Sequence, residues 1–389
     1  MTRMLFALPG PTNIPDSILE AFRRPSMDFG SPEFAAFTNE VWADLEALFG
    51  AHRVMAYPSV GHGAWEATLN NLLEPGESFL LPQNGLFATR WADMATANGF
   101  APQPIDVDIR RAPDPALIHD ALVADTNHGL AGVFVAHTET STGTLADLAA
   151  IRDAMDSAGH PGLFVVDAIA SFATDPVPMA ELGIDVVIAS SQKGLMMPPG
   201  LSFSAVSEKA LARNAEVSTP RSFFSWAERI DPEWVYQRFG GTPPIQHIFA
   251  LRAAIDHLAA EGGIDAVCDR HRRFALAAHA CFEAWGDGFA INATEPSERA
   301  AAVTCIRTPG MVADNIEIAD VLTTARNRFG VAASSAMQDL SGRAFRMGHL
   351  GDLTEPMLIG ALAGIECAFR HHGVTHHSGL AAALRVLSP

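Results

Sequence analysis

Two lysines occur among the 389 residues of this chain, and one of them, Lys193, follows an apolar, strand-like run. Arginine supplies the other 24 of the 26 lysine and arginine residues, so a plain positive charge is almost always a guanidinium. An amine can lose its proton and attack a carbonyl, whereas a guanidinium stays protonated at any working pH. Lys193 is therefore a candidate Schiff-base residue. An incidental surface charge is the alternative, and scarcity alone does not decide between them.

A carboxylate stands 26 residues before Lys193, because Asp167 ends the apolar run at residues 163–166. Isolated burial of a carboxylate is costly, so its side chain must be paired or hydrogen-bonded. Asp167 could face a bound pyridine ring and keep the ring nitrogen protonated, or it could cap a helix. One strand–helix–strand crossover takes about this many residues, which places Asp167 and Lys193 at the ends of neighbouring strands.

Two further segments bring polar groups to the ends of expected elements. Gly61 and Gly63 precede a helix, whose free backbone N–H groups suit a phosphate; a tight turn without a ligand is the alternative. Arg346 lies in an apolar, strand-like run, where it could hold a carboxylate by two parallel hydrogen bonds or form an ordinary salt bridge. Ligands of α/β sheets gather beyond the carboxyl ends of the strands, so the four positions together are more specific than any one.

The segments that must position these residues alternate between strand-like and helical patterns up to about residue 213. Continuous apolar runs of strand length fit strands buried on both faces of a mostly parallel sheet, which predicts an α/β fold. The runs are residues 78–81, 132–136, 163–166 and 186–189, and helical spacing is present at Trp65, Leu69 and Leu72 and at Leu148, Ile151 and Met155.

The last third of the chain has long helical stretches between isolated strand-like runs. We therefore predict an N-terminal arm of irregular structure over residues 1–15, a large domain over residues 16–250 and a smaller α+β domain over residues 251–389. The helical stretches are residues 245–261, 264–285, 316–329 and 355–371, and the strand-like runs are residues 301–307 and 344–347.

Composition argues against several classes of partner. The formal net charge is −18 without a basic cluster, so nucleic-acid and anionic-membrane partners are not expected. No apolar run reaches the length of a membrane span, and the first nine residues lack the layout of a signal peptide. The four cysteines lie far apart in the sequence, so we expect them to be free thiols in a reducing compartment. We therefore expect a cytoplasmic protein. The histidines at 371, 372, 376 and 377 lack Cys or carboxylate partners and favour a solvated turn over a metal site.

Several motifs, in fixed order, resemble one known family over nearly the whole chain. The family is the class V aminotransferases, which are fold-type I pyridoxal-phosphate enzymes, and the resemblance is to its alanine-, serine- and aspartate–glyoxylate aminotransferases. The resemblance implies a mostly parallel, seven-stranded sheet in the large domain. The motifs are residues 9–15, 61–67, 84–85, 137–143, 166–167, 191–194, 198–200, 242–244 and 345–351.

The resemblance also implies roles for single residues. Lys193 would bind pyridoxal 5′-phosphate as a Schiff base and move a proton during the reaction, while Asp167 would pair with the pyridinium nitrogen. Arg346 would bind the substrate α-carboxylate, assisted by the turn that contains Pro11. Phe87 would stack on the cofactor ring, Thr140 would hydrogen-bond near the ring hydroxyl, and Ile169 would lie next to the cofactor. The phosphate would be bound by Gln192 and by the backbone of Val60, Gly61 and His62. Thr242 would contact the phosphate of the other subunit's site. This last contact implies an obligate homodimer with active sites at the subunit interface.

The chain departs from the family pattern at four places. Val60 replaces a common Ser or Thr of the phosphate site, and Phe239 replaces a Tyr that often reaches the partner's phosphate. Each loss predicts cofactor binding weaker by about 1 kcal/mol, the value of one hydrogen bond. Residues 28–32 and 334–338 also differ from the pattern, and we expect them to line the substrate pocket.

These features predict an aminotransferase that moves the amino group of a small amino acid, of the serine, alanine or aspartate type, to a small 2-oxo acid such as glyoxylate or pyruvate. The order would be ping-pong, through pyridoxamine phosphate. A lyase or decarboxylase on the same fold stays open, because the fold does not determine the reaction. A desulfurase is disfavoured, since the loop before Arg346 has Ser334 and Ser335 but no nucleophilic Cys. A non-catalytic member is disfavoured because Lys193 and Asp167 are both present.

Overall fold

The computed structural model describes residues 4–218 and 222–388, which form fifteen strands and thirteen α-helices. The strands are β1 (Leu5–Phe6), β2 (Arg53–Tyr57), β3 (Ser78–Gln83), β4 (Ala101–Asp106), β5 (Leu130–Ala136), β6 (Thr138–Glu139), β7 (Thr144–Leu145), β8 (Leu163–Asp167), β9 (Val186–Ser190), β10 (Ser202–Val206), β11 (Ala290–Ile291), β12 (Val303–Arg307), β13 (Val331–Ala332), β14 (Ser334–Ser335) and β15 (Ala344–Gly348). The helices are α1 (Asp16–Phe22), α2 (Pro32–Phe49), α3 (Gly61–Leu72), α4 (Leu86–Ala97), α5 (Pro115–Ala124), α6 (Leu148–Ser157), α7 (Glu208–Glu216), α8 (Ile245–Ala260), α9 (Ile264–Ala284), α10 (Pro309–Ala313), α11 (Ile318–Phe329), α12 (Glu355–His371) and α13 (Leu380–Leu387). Within these described ranges, every helix is too short or too polar to cross a membrane.

A seven-stranded sheet has the strand order β2-β10-β9-β8-β5-β3-β4. Its neighbouring strands are parallel except at β10, which runs antiparallel to β2 and to β9. The predicted α/β fold with a mostly parallel sheet is therefore confirmed. β8 and β9 are neighbours and pair Asp167 with Ile188, so the predicted placement of Asp167 and Lys193 at the ends of neighbouring strands is confirmed. The expected helix between them is wrong, because residues 168–185 connect β8 to β9 through turns without an α-helix.

Side chains of the central strands alternate between two cores, because successive residues of a strand point to opposite faces of a sheet. Val133 and Val135 pack in one core with residues of α2, α6 and α8, whereas Phe134 packs in the other with residues of α3 and α4. Helices thus cover both faces of the sheet. This explains why β5, β8 and β9 are continuous apolar runs, and it leaves the carboxyl edge of the sheet as the place for a ligand.

A second, four-stranded sheet has the antiparallel order β11-β12-β15-β14 and lies in the last third of the chain. Its core joins Phe345 and Met347 of β15 with Phe274 of α9 and Leu362 of α12. This mixture of helices and antiparallel strands is the α+β pattern predicted for that third. The sheet matters for the site because β15 carries Arg346.

The N-terminal segment differs in part from the predicted irregular arm. Leu5–Phe6 form β1, which pairs in parallel with β13, and the Ala7 N–H donates to the Ala332 carbonyl (2.8 Å). A two-residue strand has no alternating pattern, so its sequence gave no signal. The pairing attaches the start of the chain to elements of the last third.

Helix ends near the expected site differ in how they are capped. Ser31 caps α2, with its Oγ accepting the Phe34 N–H (3.2 Å), as is usual for a serine at this position. In contrast, α3 and α4 begin after Val60 and Gly85, which provide no side-chain cap. The first-turn N–H groups of α3 and α4 must therefore be satisfied by other parts of the molecule or by a ligand.

Candidate active site

A cavity of about 340 Å³ opens at the carboxyl edge of the seven-stranded sheet, and we name it the Lys193 cavity. Its lining comes from the N-terminal segment, the starts of α3 and α4, the segment around β6 and the loops after β8 and β9. Every predicted cofactor position except Thr242 is part of the lining, as is the predicted substrate position Pro11. The lining residues are Gly10, Pro11, Val60, Gly61, His62, Trp65, Phe87, Thr138, Thr140, Asp167, Ile169, Ala170, Gln192, Lys193 and Pro199.

The Lys193 amine donates a hydrogen bond to the Pro9 carbonyl across one side of this cavity (2.5 Å). Gly10 permits the approach, because its φ is +131° and a Cβ there would lie 2.5 Å from the Lys193 Nζ. Burial and the nearby Arg346 charge lower the pKa of Lys193 to about 8, although Asp167 acts in the opposite direction. A larger fraction of this amine than of an exposed lysine is therefore unprotonated near neutral pH, and the unprotonated form attacks carbonyls.

Asp167 ends β8, and its buried carboxyl group lines the cavity. Its Oδ1 accepts the Ile169 N–H (2.8 Å), so the carboxyl group organises the local turn and also faces the cavity. The two roles considered from the sequence are therefore compatible. Burial raises the pKa of Asp167 to about 7, against the opposing effects of the Ile169 N–H, the Trp65 side chain and the Lys193 amine. A cationic ring nitrogen placed against this carboxyl group would favour its ionised form.

The start of α3 forms the part of the lining best suited to an anion. Val60, Gly61 and His62 line the cavity, and the first helical turn points its N–H groups away from the helix body. Gly61 allows close packing, because a Cβ at this position would lie 2.3 Å from the Ile169 Cδ1. Burial and the Arg90 charge lower the pKa of His62. The lowered pKa disfavours a charged imidazole, so the positive potential at this part of the lining comes from the helix start and from Arg90.

Gln192, Phe87 and Thr140 complete the predicted set of lining residues. The Gln192 Oε1 accepts the Ser190 Oγ–H (2.6 Å), which directs the amide N–H₂ group away from Ser190. Phe87 lies in the first turn of α4. The Thr140 main-chain carbonyl accepts the Arg346 Nη1–H (3.3 Å), so Thr140, which lines the cavity, contacts the arginine directly.

Arg346 lies on β15 between Cys305 of β12 and Ser334 of β14 in the strand register. Its Nε–H donates to the Ser335 carbonyl (3.2 Å), and its charge is close enough to lower the pKa of Lys193. Among the residues that the structure describes, no carboxylate forms an ion pair with its guanidinium, and burial lowers the pKa of Arg346. A buried guanidinium with only carbonyl partners is suited to accept a carboxylate ligand.

Several predicted positions do not line the Lys193 cavity, namely Arg346, Thr242, Phe239, residues 28–32 and residues 334–338. Thr242 is exposed. Phe239 is buried, with its ring centroid 5.3 Å from that of Trp42, so it belongs to the core. Residues 29–32 line a second cavity of about 310 Å³ together with Trp234 and Tyr236. They do not line the Lys193 cavity of their own chain, and the role of residues 28–32 at the substrate pocket stays a prediction.

The structure adds site residues that the sequence analysis did not assign. Trp65 lines the cavity beside Asp167, Ser190 orients Gln192, and Glu139 is fully buried behind the cavity wall. Trp65 and Glu139 stand inside the motifs at residues 61–67 and 137–143. The acidic residue Glu139 within a run of threonines and serines could therefore have indicated a site residue from the sequence. Nothing in the sequence distinguishes Ser190.

The cavity combines groups that suit a flat, phosphate-bearing aromatic aldehyde. The Lys193 amine, with its lowered pKa, could react with the aldehyde. The buried Asp167 carboxyl group could pair with a ring nitrogen, and the Phe87 side chain could cover a ring face. The uncapped start of α3 suits the phosphate. The Arg346 guanidinium next to these groups suits a substrate carboxylate.

Comparisons with known proteins point to one family. The family model described as Aminotransferase class-V matches residues 34–336. A serine–glyoxylate aminotransferase from Hyphomicrobium methylovorum is 37% identical over 373 residues, which cover 94% of this chain and 90% of that protein. An L-aspartate–glyoxylate aminotransferase from Paracoccus denitrificans is 33% identical over 382 residues, which cover 97% and 94%. The solved structure of ureidoglycine–glyoxylate aminotransferase from Bacillus subtilis has the same fold, with a TM-score of 0.90 at 24% identity over 100% of this chain and 99% of that chain.

Proposed function

The chain belongs to the class V aminotransferases, and from this premise we propose that it transfers the amino group of a small amino acid to a small 2-oxo acid. The donor is of the serine, alanine or aspartate type, the acceptor is glyoxylate or pyruvate, and the cofactor is pyridoxal 5′-phosphate. Relatives named for serine or aspartate as donor and glyoxylate as acceptor support these choices. The observation that carries the proposal is that Lys193 and Asp167 line one cavity beside the unpaired Arg346.

The cavity residues fit this cofactor by their chemistry. A volume of about 340 Å³ lies within the range of small-molecule sites. Gln192 and the backbone at Gly61 and His62 would hold the phosphate, Phe87 would cover a ring face, and Thr140 would lie near the ring hydroxyl. Val60 adds no hydroxyl to the phosphate site, so the backbone N–H groups and Gln192 would provide most of the phosphate contacts.

Bound pyridoxal phosphate supplies an electron-withdrawing ring and a carbon atom that carries the amino group between the two substrates. Lys193 would hold the cofactor covalently through Nζ. Because its pKa is lowered to about 8, the same amine, once the substrate amine has taken its place on the cofactor, would take the proton from the substrate Cα and pass it to the cofactor carbon that carries the amino group. Asp167 would hold a proton on the ring nitrogen, since its carboxylate form is stabilised by a positive partner.

Arg346 would orient the substrate by binding its α-carboxylate. The guanidinium donates to the Thr140 and Ser335 carbonyls, so its plane is fixed before a substrate arrives. Fixed orientation reduces the entropic cost of aligning the substrate Cα–H bond with Nζ of Lys193. The turn that contains Pro11 lies at the same cavity and would limit the size of the donor side chain.

A homodimer in the cytoplasm is part of the proposal. Thr242 is exposed and does not line its own chain's cavity, which leaves it available to a second copy. Large apolar side chains that precede it in the sequence, Phe223, Trp234 and Tyr236, are 45%, 56% and 46% exposed, and exposed apolar surface of this kind is typical of an interface. The four cysteines are free thiols, which supports a reducing compartment.

The proposed function is tested by the two half-reactions measured separately. The purified holoenzyme is mixed with serine, alanine or aspartate without an acceptor, and the visible absorption of the bound cofactor is followed. We expect a donor to bleach this band once, in proportion to enzyme, and glyoxylate or pyruvate to restore it. Continuous product formation without an acceptor would instead identify a lyase, and no response to any amino acid would contradict the proposal.

Lys193→Arg provides the matched test of the covalent residue, because it keeps the charge and removes the nucleophilic amine. Its control is Lys209→Arg, since Lys209 is half-exposed and pairs with Asp185 (3.3 Å) away from the cavity. We expect Lys193→Arg to lose both half-reactions and Lys209→Arg to keep them.

A further inference from the structure

A buried carboxylate that none of the roles above uses lies directly behind the Lys193 cavity. Glu139 is 0% exposed, and both of its carboxylate oxygens accept two hydrogen bonds. Oε2 accepts the N–H groups of Phe87 and Ala88, each at 3.0 Å. Oε1 accepts the Ser141 N–H (2.9 Å) and the Ser141 Oγ–H (2.6 Å). The carboxylate therefore has a complete set of donors.

Two of these donors belong to the first turn of α4, so Glu139 caps this helix from a segment more than fifty residues away. The N-cap residue Gly85 has no side chain to do so, and a Cβ there would lie 2.4 Å from the Glu139 Cγ. A nearby Ser, Asp or Asn is the usual and less costly cap, because it does not require burial of a charge. Glu139 instead connects the helix start to the segment around β6.

The connection matters because both of its ends belong to the cavity. Phe87, held through its N–H, lines the cavity on the α4 side, and Thr140, the next residue after Glu139, lines it on the other side. The Thr140 carbonyl accepts the Arg346 Nη1–H (3.3 Å). One carboxylate thus sets the relative positions of the ring-facing aromatic, the threonine and the guanidinium.

Electrostatic coupling accompanies these contacts. The charge of Glu139 raises the pKa of Asp167 and opposes the lowering of the pKa of Arg346 by burial. Burial raises the pKa of Glu139 itself, while its four hydrogen bonds favour the carboxylate. In a Glu139→Gln variant, an N–H₂ group would replace one of the two carboxylate oxygens. This group is a hydrogen-bond donor, and it would face N–H or O–H groups that are donors themselves.

We propose that Glu139 is a positioning residue of the aminotransferase, which holds Phe87 and the Thr140–Arg346 pair in register for the cofactor ring and the substrate carboxylate. The inference rests on the proposed function. It differs from a purely stabilising role because it predicts effects on ligand binding beyond the loss of folding stability.

Glu139→Gln tests this inference, with Asp185→Asn as its matched control. Asp185 is also buried, and its carboxylate accepts the Phe164 N–H (2.9 Å) and the Ser207 Oγ–H (2.9 Å), but it precedes β9 at the opposite end of the sheet. Both variants should lower the unfolding temperature. We expect Glu139→Gln alone to raise the cofactor dissociation constant and the KM for the amino donor, each by about tenfold or more.

A third readout uses the cofactor-free protein. Hydrogen exchange at the Phe87 and Ala88 amides should be faster in Glu139→Gln and unchanged in Asp185→Asn, because only the first variant replaces one of the two acceptor oxygens and removes the negative charge at this helix start. Ser141→Ala provides a second variant that leaves the carboxylate in place, since it removes one donor to Glu139 and the acceptor of the Leu86 N–H (2.9 Å). It should change the same three quantities in the same direction by a smaller factor.

The outcomes separate this inference from the proposed function. If the wild-type protein and Asp185→Asn transaminate while Glu139→Gln and Ser141→Ala change only the unfolding temperature, the positioning role is wrong. The role is also wrong if Glu139→Gln does not fold and Ser141→Ala binds cofactor and donor normally. If the wild-type protein itself does not transaminate, the proposed function fails, and unchanged amide exchange at Phe87 would then separately refute the positioning role.

Discussion

Lys193 and Lys209 show what two environments do to one type of side chain. Lys209 is half-exposed, pairs with Asp185 and donates to the Gly162 carbonyl, as a surface cation does. Lys193 lies at a cavity where burial and Arg346 lower its pKa to about 8. Both lysines follow a buried strand, and the sequence separated the two because only Lys193 stands inside one of the motifs of the family.

At this scale the sequence singled out three residues of distinctive chemical type, and the structure places Lys193 and Asp167 at one cavity, with the charge of Arg346 acting on Lys193. The sequence did not identify Glu139, because the amides that Glu139 binds come from a helix about fifty residues away. It did not reveal the separate cavity at residues 29–32 for the same reason, since some of the residues that enclose them lie some two hundred positions later. Contacts between distant segments were the information that one sequence could not provide.

Arg346→Ala should raise the KM for the amino donor by a factor of about 10 to 100, the value of a charge-assisted hydrogen-bond pair. The control is Arg307→Ala, because Arg307 lies on the adjacent strand β12 with its guanidinium toward Asn292. Steady-state kinetics with each amino acid would measure both variants. An unchanged KM in Arg346→Ala would show that another group binds the substrate carboxylate.

Among the helices and strands at the site, α3 requires the closest packing at its first residue. It begins at Gly61, directly against Ile169, and both residues line the cavity. The helix start can therefore come close to a ligand only while position 61 lacks a side chain. Length and periodicity were sufficient to predict the longer elements, as α12 at Glu355–His371 shows, whereas β1 and β14 are too short for a pattern.

Gly61→Ala should weaken cofactor binding about tenfold, because the new Cβ would push Ile169 into the cavity. The double variant Gly61→Ala/Ile169→Val removes the Cδ1 that lies nearest to this Cβ and should recover most of the affinity. Gly360→Ala is the control, since a Cβ there would meet only the Leu5 Cδ2 at 3.9 Å. Fluorescence titration of the cofactor-free protein would measure all three, and equal affinities would refute the argument.

Across the whole molecule, buried neutral histidines connect the four-stranded sheet with neighbouring segments. His349 is 0% exposed, with Nδ1 bonded to the Ala301 carbonyl (2.6 Å) and Nε2 to the Thr304 hydroxyl (2.9 Å). Burial lowers its pKa to about 4, and His279, on the other side of Thr304, is shifted in the same direction. Composition gave no indication of this network, because a buried and an exposed histidine look alike in a sequence.

The pH dependence of unfolding follows from the direction of that shift. The unfolded chain takes up a proton at His349 near pH 6.5, whereas the folded chain does so only near pH 4. Stability is therefore lost as pH falls from about 6.5 toward 4, by up to about 1.4 kcal/mol per pH unit for this residue.

His349→Gln should accordingly show a shallower decline of the free energy of unfolding between pH 6.5 and pH 4.5 than the wild-type protein. His377→Gln is the control, because His377 is exposed. Urea unfolding at several pH values would measure the slopes. Parallel curves for His349→Gln and the wild-type protein would mean that this histidine does not contribute to acid sensitivity.

The short β1 pairing has a mechanical consequence. The Ala7 carbonyl accepts the Gly348 N–H (2.9 Å) two residues beyond Arg346, and two residues farther along the chain Pro9 accepts the Lys193 amine. A tilt of the four-stranded sheet would therefore displace the guanidinium and the reactive nitrogen together. The distance between the Arg346 guanidinium and the Lys193 Nζ is thus set in part by the backbone of residues 7–9, which belongs to neither side chain.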